Sequence, residues 1–250
     1  MIAAIDSGNS SVKLGIFDQG KLIKSFYSLS IPSAAGIINT SYTESRIIVS
    51  DVGGNTKEIM DLFSGVKELL WVNSKLKFPF RILYKTPESL GSDRLAAVAG
   101  AWEGWGPGNL LVIDIGTCIT YDFIDRQAQY RGGGISPGLT IRLKSLNRFT
   151  SALPEISPNN RYSLYGDDTP SSILSGTQGG LIAELNGMIQ LYKESFPDLK
   201  IIMGGRNAGF FEPGMKSPVI IHPDLILWGL SAIARYNEKQ QDRRPAPPNS

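Results

Sequence analysis

Short apolar runs of strand character open the chain, and longer stretches with helical spacing follow. Ile2-Ala3-Ala4-Ile5 is a brief buried run, and Val12-Lys13-Leu14-Gly15-Ile16-Phe17 is rich in strand formers. Asp18-Gln19-Gly20 then turns the chain into Lys21-Leu22-Ile23, and Arg46 to Ser50 reads as another strand, so the first 50 residues read as strands joined by tight turns. From Thr56 to Leu70 the spacing of Ile59, Leu62, Phe63, Val66 and Leu69-Leu70 predicts a helix. Another begins at Ser92-Asp93 and breaks at Gly104-Trp105-Gly106-Pro107-Gly108.

Beyond that break, Leu110-Leu111-Val112-Ile113 is the most apolar strand of the chain. A polar turn, a further strand and the glycine-rich stretch Gly132 to Gly138 follow, then a helix from Leu139 to Phe149. A long helix is expected from Ser171 to Phe196, a strand over Lys200 to Met203, and a closing helix from Leu225 to Tyr236. The glycine-proline cluster divides the chain into an N-terminal domain of residues 1–108 and a C-terminal domain of 109–237, with 238–250 expected to be a disordered tail.

The two halves share a pattern. Ala4-Ile5-Asp6-Ser7-Gly8-Asn9-Ser10 and Val112-Ile113-Asp114-Ile115-Gly116-Thr117-Cys118 each end an apolar strand in Asp-x-Gly plus a small polar residue, and a second strand follows. One such turn is a common hairpin in which the aspartate satisfies turn amides. A matched pair heading two halves of similar length points instead to a duplicated nucleotide-binding scaffold.

Composition narrows the classes. Of 250 residues, 42% are hydrophobic and 19% charged, enough apolar content for a self-sufficient core and too little charge for general disorder. Lys+Arg 25 against Asp+Glu 23 gives a net charge of +2, with Arg243 and Arg244 in the tail, so no electrostatic footprint for nucleic acid is visible. One cysteine, Cys118, excludes a disulfide framework and multi-cysteine metal sites, and one histidine, His222, leaves no imidazole cluster. Cys118 reads as a small buried filler and His222 as structural. No signal-peptide pattern and no membrane-length apolar run occurs, so a soluble cytoplasmic protein with no membrane partner is expected.

The first turn suits a phosphate. Gly8 lets the backbone bring N–H groups close to an anion, Asn9, Ser10 and Ser11 add donors, and Lys13 supplies a positive charge. Asp6 would repel a phosphate directly but can hold a magnesium ion, or its waters, bridging the phosphates. Neither the Walker spacing nor a Gly-x-Gly-x-x-Gly helix start is present, nor are protein-kinase signatures. In Gly91-Ser92-Asp93-Arg94, Ser92 or Asp93 can cap the helix that follows; alternatively Asp93 takes the proton of an attacking hydroxyl while Arg94 holds an anionic substrate. Tyr84 suits either the same pocket or core packing.

Taken in series, Asp6-x-Gly8-Asn9-x-x-x-Lys13, Gly91-x-Asp93-Arg94, Asp114-x-Gly116-Thr117, Gly133-Gly134-x-x-Pro137-Gly138, Leu153-Pro154, Gly204-Gly205 and Asp224-Leu225-x-Leu227-x-Gly229-Leu230 resemble type III pantothenate kinase over about residues 1–236. The resemblance implies an α/β fold of two ribonuclease-H-like domains, mixed sheets flanked by helices, in the acetate and sugar kinase, heat-shock-70 and actin superfamily. It implies transfer of the ATP γ-phosphate to the 4′-hydroxyl of pantothenate, the first step toward coenzyme A.

Carried onto this sequence, the resemblance makes Asp6, Ser7, Gly8, Asn9, Ser10, Ser11, Val12 and Lys13 the ATP-phosphate loop, with Thr117 also meeting ATP. Asp93 becomes the general base, and Gly91, Ser92, Asp93, Arg94, Tyr84 and Thr169 contact pantothenate. Asp114 holds a monovalent cation, K⁺ or NH₄⁺, and the enzyme is a homodimer. Two other readings stay open: a kinase of another small alcohol on this scaffold, and a non-enzymatic regulator of the transcription-accessory type. Retention of both Asp93 and Asp114 argues against the regulator.

Overall fold

The computed structural model describes residues 1–66, 68–159 and 163–242. They form two compact units: Met1–Gly106 with Gln127–Arg131 and the C-terminal helix, and Pro107–Arg126 with Gly132–Asp224.

The first unit is built on strands β1 (Ile2–Ser7), β2 (Val12–Asp18), β3 (Lys21–Leu29), β4 (Arg46–Asp51) and β5 (Leu69–Trp71) in the order β3-β2-β1-β4-β5. The first three run antiparallel, whereas β4 lies parallel to β1 and β5 parallel to β4. Successive side chains of a strand point to opposite faces. Ala3, Ile5, Leu14, Ile16, Ile47 and Val49 therefore fill one face, under helices α1 (Ile31–Ser41) and α2 (Thr56–Leu62). On the same strands Gly15 leaves room for Leu227 of the C-terminal helix, so the opposite face receives that helix.

Two local expectations change here. Helix α1 lies where only strands and turns were expected; Ser30 caps it by accepting from the Ser33 amide, and Pro32 occupies its first turn. The helix expected over Thr56 to Leu70 ends at Leu62, and Leu69-Leu70 instead extend the sheet. Ile59 and Phe63 supply the buried stripe, so two turns suffice, and Leu69-Leu70 satisfy their backbone against β4.

The short strand β6 (Arg81–Ile82) pairs with Gln129-Tyr130, the opening residues of strand β9 (Gln129–Pro137). Helix α3 (Ser92–Trp105) stops at Gly106.

The second unit holds β7 (Leu110–Ile115), β8 (Cys118–Ile124), the rest of β9, β10 (Lys200–Gly204) and β11 (Ile220–His222), in the order β11-β10-β7-β8-β9. The glycine-rich stretch is thus largely sheet. Leu111, Ile113, Ile115, Ile119, Tyr121 and Phe123 share a core with helices α4 (Leu139–Phe149), α5 (Thr169–Leu174) and α6 (Gly180–Ser195), and with Phe211 of α7 (Ala208–Phe211). The long helix expected over Ser171 to Phe196 starts two residues earlier and is interrupted by a π turn over Ser175–Gly179. Two glycines in that turn weaken regular helix there. Cys118 is half-exposed rather than a buried filler, because it sits at the mouth of the β7-β8 hairpin.

Helix α8 (Leu225–Asp242) returns to the first unit and packs along α3 and β1. It runs past Tyr236 because Asn237 accepts from the Lys77 amide and Glu238 pairs with Arg46 at 2.7 Å. The remainder of the expected tail, 243–250, lies outside the described residues. No described helix is long and apolar enough to cross a membrane.

Candidate active site

The first Asp-x-Gly turn closes the β1-β2 hairpin, where the Gly8 amide donates to the Ser11 carbonyl at 3.2 Å. Asp6 and Lys13 face each other across the ladder, and their carboxylate and ammonium pair at 2.9 Å. Asp6 is buried, with 3% of its surface exposed, while Asn9 and Ser10 at the tip are exposed. The arrangement is a buried charge pair beneath an open loop carrying backbone N–H groups and hydroxyls. Ser7 differs from its neighbours: it is fully buried, and its hydroxyl donates to Asp51 at 2.8 Å and accepts from Asn55 at 3.0 Å.

The second turn repeats the plan in the other unit. Asp114 is the cross-strand neighbour of Thr120, and the Gly116 amide donates to the Cys118 carbonyl at 3.0 Å. Gly116 and Thr117 are exposed at the tip. In both units the aspartate-bearing strand has an antiparallel partner on one side and a parallel one on the other. Asp6 registers with Ser50 and Asp114 with Gly204. The duplication read from seven residues therefore extends over three strands of each sheet. Gly138 backs the second turn: its amide donates to Thr117, and a Cβ there would strike the Gly116 and Thr117 carbonyls.

Gly91-Ser92-Asp93-Arg94 forms the start of α3. Gly91 is the N-cap but offers no side chain, and Asp93 accepts from the Arg94 amide at 2.8 Å. Ser92 is buried and shares a 2.9 Å hydrogen bond with Ser50, the strand neighbour of Asp6. One end of β4 therefore brings the phosphate-type loop and the Asp93 segment together within the first unit. Arg94 is buried, and its guanidinium lies 5.8 Å from the Tyr84 ring centre in a cation–π contact. Tyr84 in turn stacks on buried Tyr130 at 6.5 Å.

Thr169 sits apart, in the second unit. It is exposed at the first position of α5, beside Asp168, which caps that helix through Ser171, and hydrogen bonds from Ser171 hold the exposed Asp168 carboxyl below its usual range. Thr169 lines a cavity of about 860 Å³ with Arg142, Leu146, Leu153 and Asp168.

The polar group flanking that cavity is well knit. Arg142 pairs with Glu184 and donates to Ser136 at 2.9 Å, and the Tyr121 hydroxyl donates to Glu184 at 2.9 Å. Burial pushes the Glu184 carboxyl up, but hydrogen bonds from Arg142, Ser136 and Tyr121 outweigh it and leave the group below its usual range. Burial, with Glu184 adding to it, pushes the Tyr121 phenol far up, so it stays neutral. His222 is held down by burial, against the opposing charge of Asp224, in keeping with a structural role.

Asp51, Asn55 and Thr56 were not singled out for chemistry by their residue types. Asp51 accepts from Ser7, from the Asn55 amide at 3.2 Å and from Thr56 at 2.6 Å. Burial raises its carboxyl, yet these bonds hold it below the ordinary value. The one sequence signal was a polar residue ending an apolar strand.

Among the described residues, no three or more His, Cys, Asp or Glu side chains gather to hold a metal.

Two mixed sheets flanked by helices, each sheet carrying one Asp-x-Gly hairpin, give an α/β fold of the actin-like ATPase kind. Solved structures of that build include a conserved protein from Campylobacter jejuni assigned to the Baf family of transcriptional activators, with a TM-score of 0.64 at 21% identity over 95% of this chain and 100% of the other. At that identity the likeness speaks for the fold alone. Within the class, the family model for type III pantothenate kinase matches residues 2–191. The type III pantothenate kinase of Bacteroides fragilis strain YCH46 is 36% identical over 235 residues, covering 93% of this chain and 97% of its own. That of Phocaeicola vulgatus is 38% identical over 242 residues, covering 94% and 98%. The chain belongs to the type III pantothenate kinase family.

Proposed function

We propose that this protein transfers the γ-phosphate of ATP to the 4′-hydroxyl of pantothenate, opening coenzyme A synthesis. The observation that carries the reading is the full-length family likeness with the Asp6–Lys13 pair, Asp93 and Asp114 all present.

Phosphoryl transfer asks the protein mainly to position two substrates and neutralise charge. The amides and hydroxyls of Asn9 to Ser11 grip the phosphates above the turn that the Gly8 amide closes, and Lys13 adds positive charge there. Asp6 would hold a magnesium ion brought in with ATP, which would supply further charge neutralisation. Ser7 and Val12, both buried, shape the loop from below. The family likeness also gives Thr117 of the second unit a nucleotide contact.

Asp93 is half-exposed at a helix start, a place from which a carboxylate can accept the proton of the pantothenate hydroxyl. Arg94 is held by Tyr84 so that its cation meets the pantothenate carboxylate, with Gly91, Ser92 and Tyr84 beside it; the family likeness adds Thr169 of the second unit. Asp114 would hold K⁺ or NH₄⁺, whose charge would offset the charge that grows during transfer. The enzyme works as a homodimer in the cytoplasm.

The test is a coupled ADP-release assay with ATP, magnesium and pantothenate, run with and without potassium, with light scattering for the dimer. Pantothenate-dependent ADP is expected. Turnover only with another alcohol would reassign the substrate, and none with any alcohol would favour a regulator.

A further inference from the structure

We propose that Asp51 is a positioning residue for the ATP-phosphate loop, acting through Ser7, and that its neighbour Ser50 braces the Asp93 segment. This rests on the reading that the Asp6 to Lys13 loop binds ATP.

Strand alternation divides the work between two adjacent residues. Ile47 and Val49 belong to the core under α1 and α2, so Asp51 emerges on that face and Ser50 on the other. Ser50 accordingly meets Ser92 of α3 at 2.9 Å, while Asp51 meets Thr56 of α2 and Ser7 of β1.

The grip on Ser7 is complete. Its hydroxyl donates to Asp51 and accepts from Asn55, and its carbonyl accepts from the Val52 and Gly53 amides at 2.9 and 3.0 Å. Directly above, a Cβ on Gly53 would come 2.6 Å from the Gly8 carbonyl, so the β4-α2 loop lies flush against the phosphate loop. Ser7 immediately precedes the Gly8 amide that opens the loop. Fixing the Ser7 carbonyl and hydroxyl fixes the Ser7–Gly8 peptide, whose Gly8 amide closes the turn onto the Ser11 carbonyl, and so sets the loop from which the Asn9 to Ser11 amides meet the phosphates. A carboxylate suits the task because one oxygen receives Ser7 and the Asn55 amide while the other receives Thr56, and the charge strengthens each bond.

The experiment compares the full-length wild type with Asp51→Ala, Asp51→Asn, Ser7→Ala and Ser50→Ala. Calorimetry measures magnesium-ATP binding, steady-state kinetics gives KM for each substrate, and circular dichroism and thermal melting check the fold. Asp51→Ala is expected to weaken ATP binding about tenfold and raise KM for ATP alike, leaving KM for pantothenate within about twofold. Asp51→Asn recovers most of that loss, because its amide oxygen still receives the Ser7 hydroxyl. Ser50→Ala lowers kcat and leaves ATP binding within about twofold.

A folded Asp51→Ala protein with wild-type ATP affinity overturns the proposal, as does an equal rise in both KM values. If Asp51→Ala fails to fold, Ser7→Ala decides: unchanged ATP affinity there overturns it, a loss of about fivefold or more supports it. A wild type that binds ATP but makes no phosphopantothenate removes the assigned reaction and leaves the binding comparison standing. A wild type that binds no ATP removes both.

Discussion

Gly100 and Gly229 lie back to back where α3 meets α8: a Cβ on Gly100 would sit 3.0 Å from the Gly229 amide nitrogen and 2.6 Å from the Leu225 carbonyl. A Cβ on Gly229 would strike the Ala96 carbonyl, which belongs to backbone and cannot swing aside. Gly229→Ala is expected to separate the helices and cost about 2–3 kcal/mol, lowering Tm by roughly 5–10 °C. Thermal melting measures it, and a shift under about 1 °C would refute the packing account.

Asp93→Asn keeps the shape of the side chain and removes the acceptor for a proton. Turnover is expected to fall by about 100-fold or more, with magnesium-ATP affinity within about twofold. Steady-state kinetics and calorimetry separate the two, and near-normal turnover would take Asp93 out of the reaction.

Asp114→Asn tests the monovalent-cation assignment. The wild type is expected to run faster in potassium than in choline chloride at equal ionic strength. The variant is expected to be slow and to respond little to the cation, because the amide keeps an oxygen ligand but loses the negative charge that attracts the ion. A potassium response that survives the substitution places the cation elsewhere.

Arg142→Met probes the cluster beside the 860 Å³ cavity. Glu184 has a depressed carboxyl, so its contribution to stability is present above the ordinary carboxylate pKa and is lost as pH falls through the folded value. Without Arg142, burial is opposed only by Ser136 and Tyr121. The variant should lose about 1–2 kcal/mol at pH 7, the pair being partly exposed, and less near pH 4. Urea midpoints at the two pH values give the comparison; equal losses at both would show that packing, not charge, holds the cluster.

Much of the candidate site was legible because its proposed chemistry sits in short sequence spans. The Asp6 and Asp114 turns, the Gly91 to Arg94 segment and Lys13 are each local, and a residue seven positions along a hairpin must face its partner across the ladder. Asp51 and Ser50 were not legible as site residues. Their meaning comes from Ser7 and Ser92, 44 and 42 positions away, and no local spacing reports such a contact.

By itself, then, the amino-acid order determined the alternating strands and helices, the doubled Asp-x-Gly hairpins and the family, because period, turn residues and hairpin closure are set by neighbours in the chain. Only the tertiary structure decided that Leu69-Leu70 leave a helical pattern to join β4, that α8 returns to lie on α3, and that one strand end supports both the Asp6 to Lys13 loop and the Asp93 segment. The physical reason is the same in each case. An apolar stripe or a polar hydroxyl states that it needs a partner, but which partner it meets depends on the surfaces that other elements leave open once the sheet has formed.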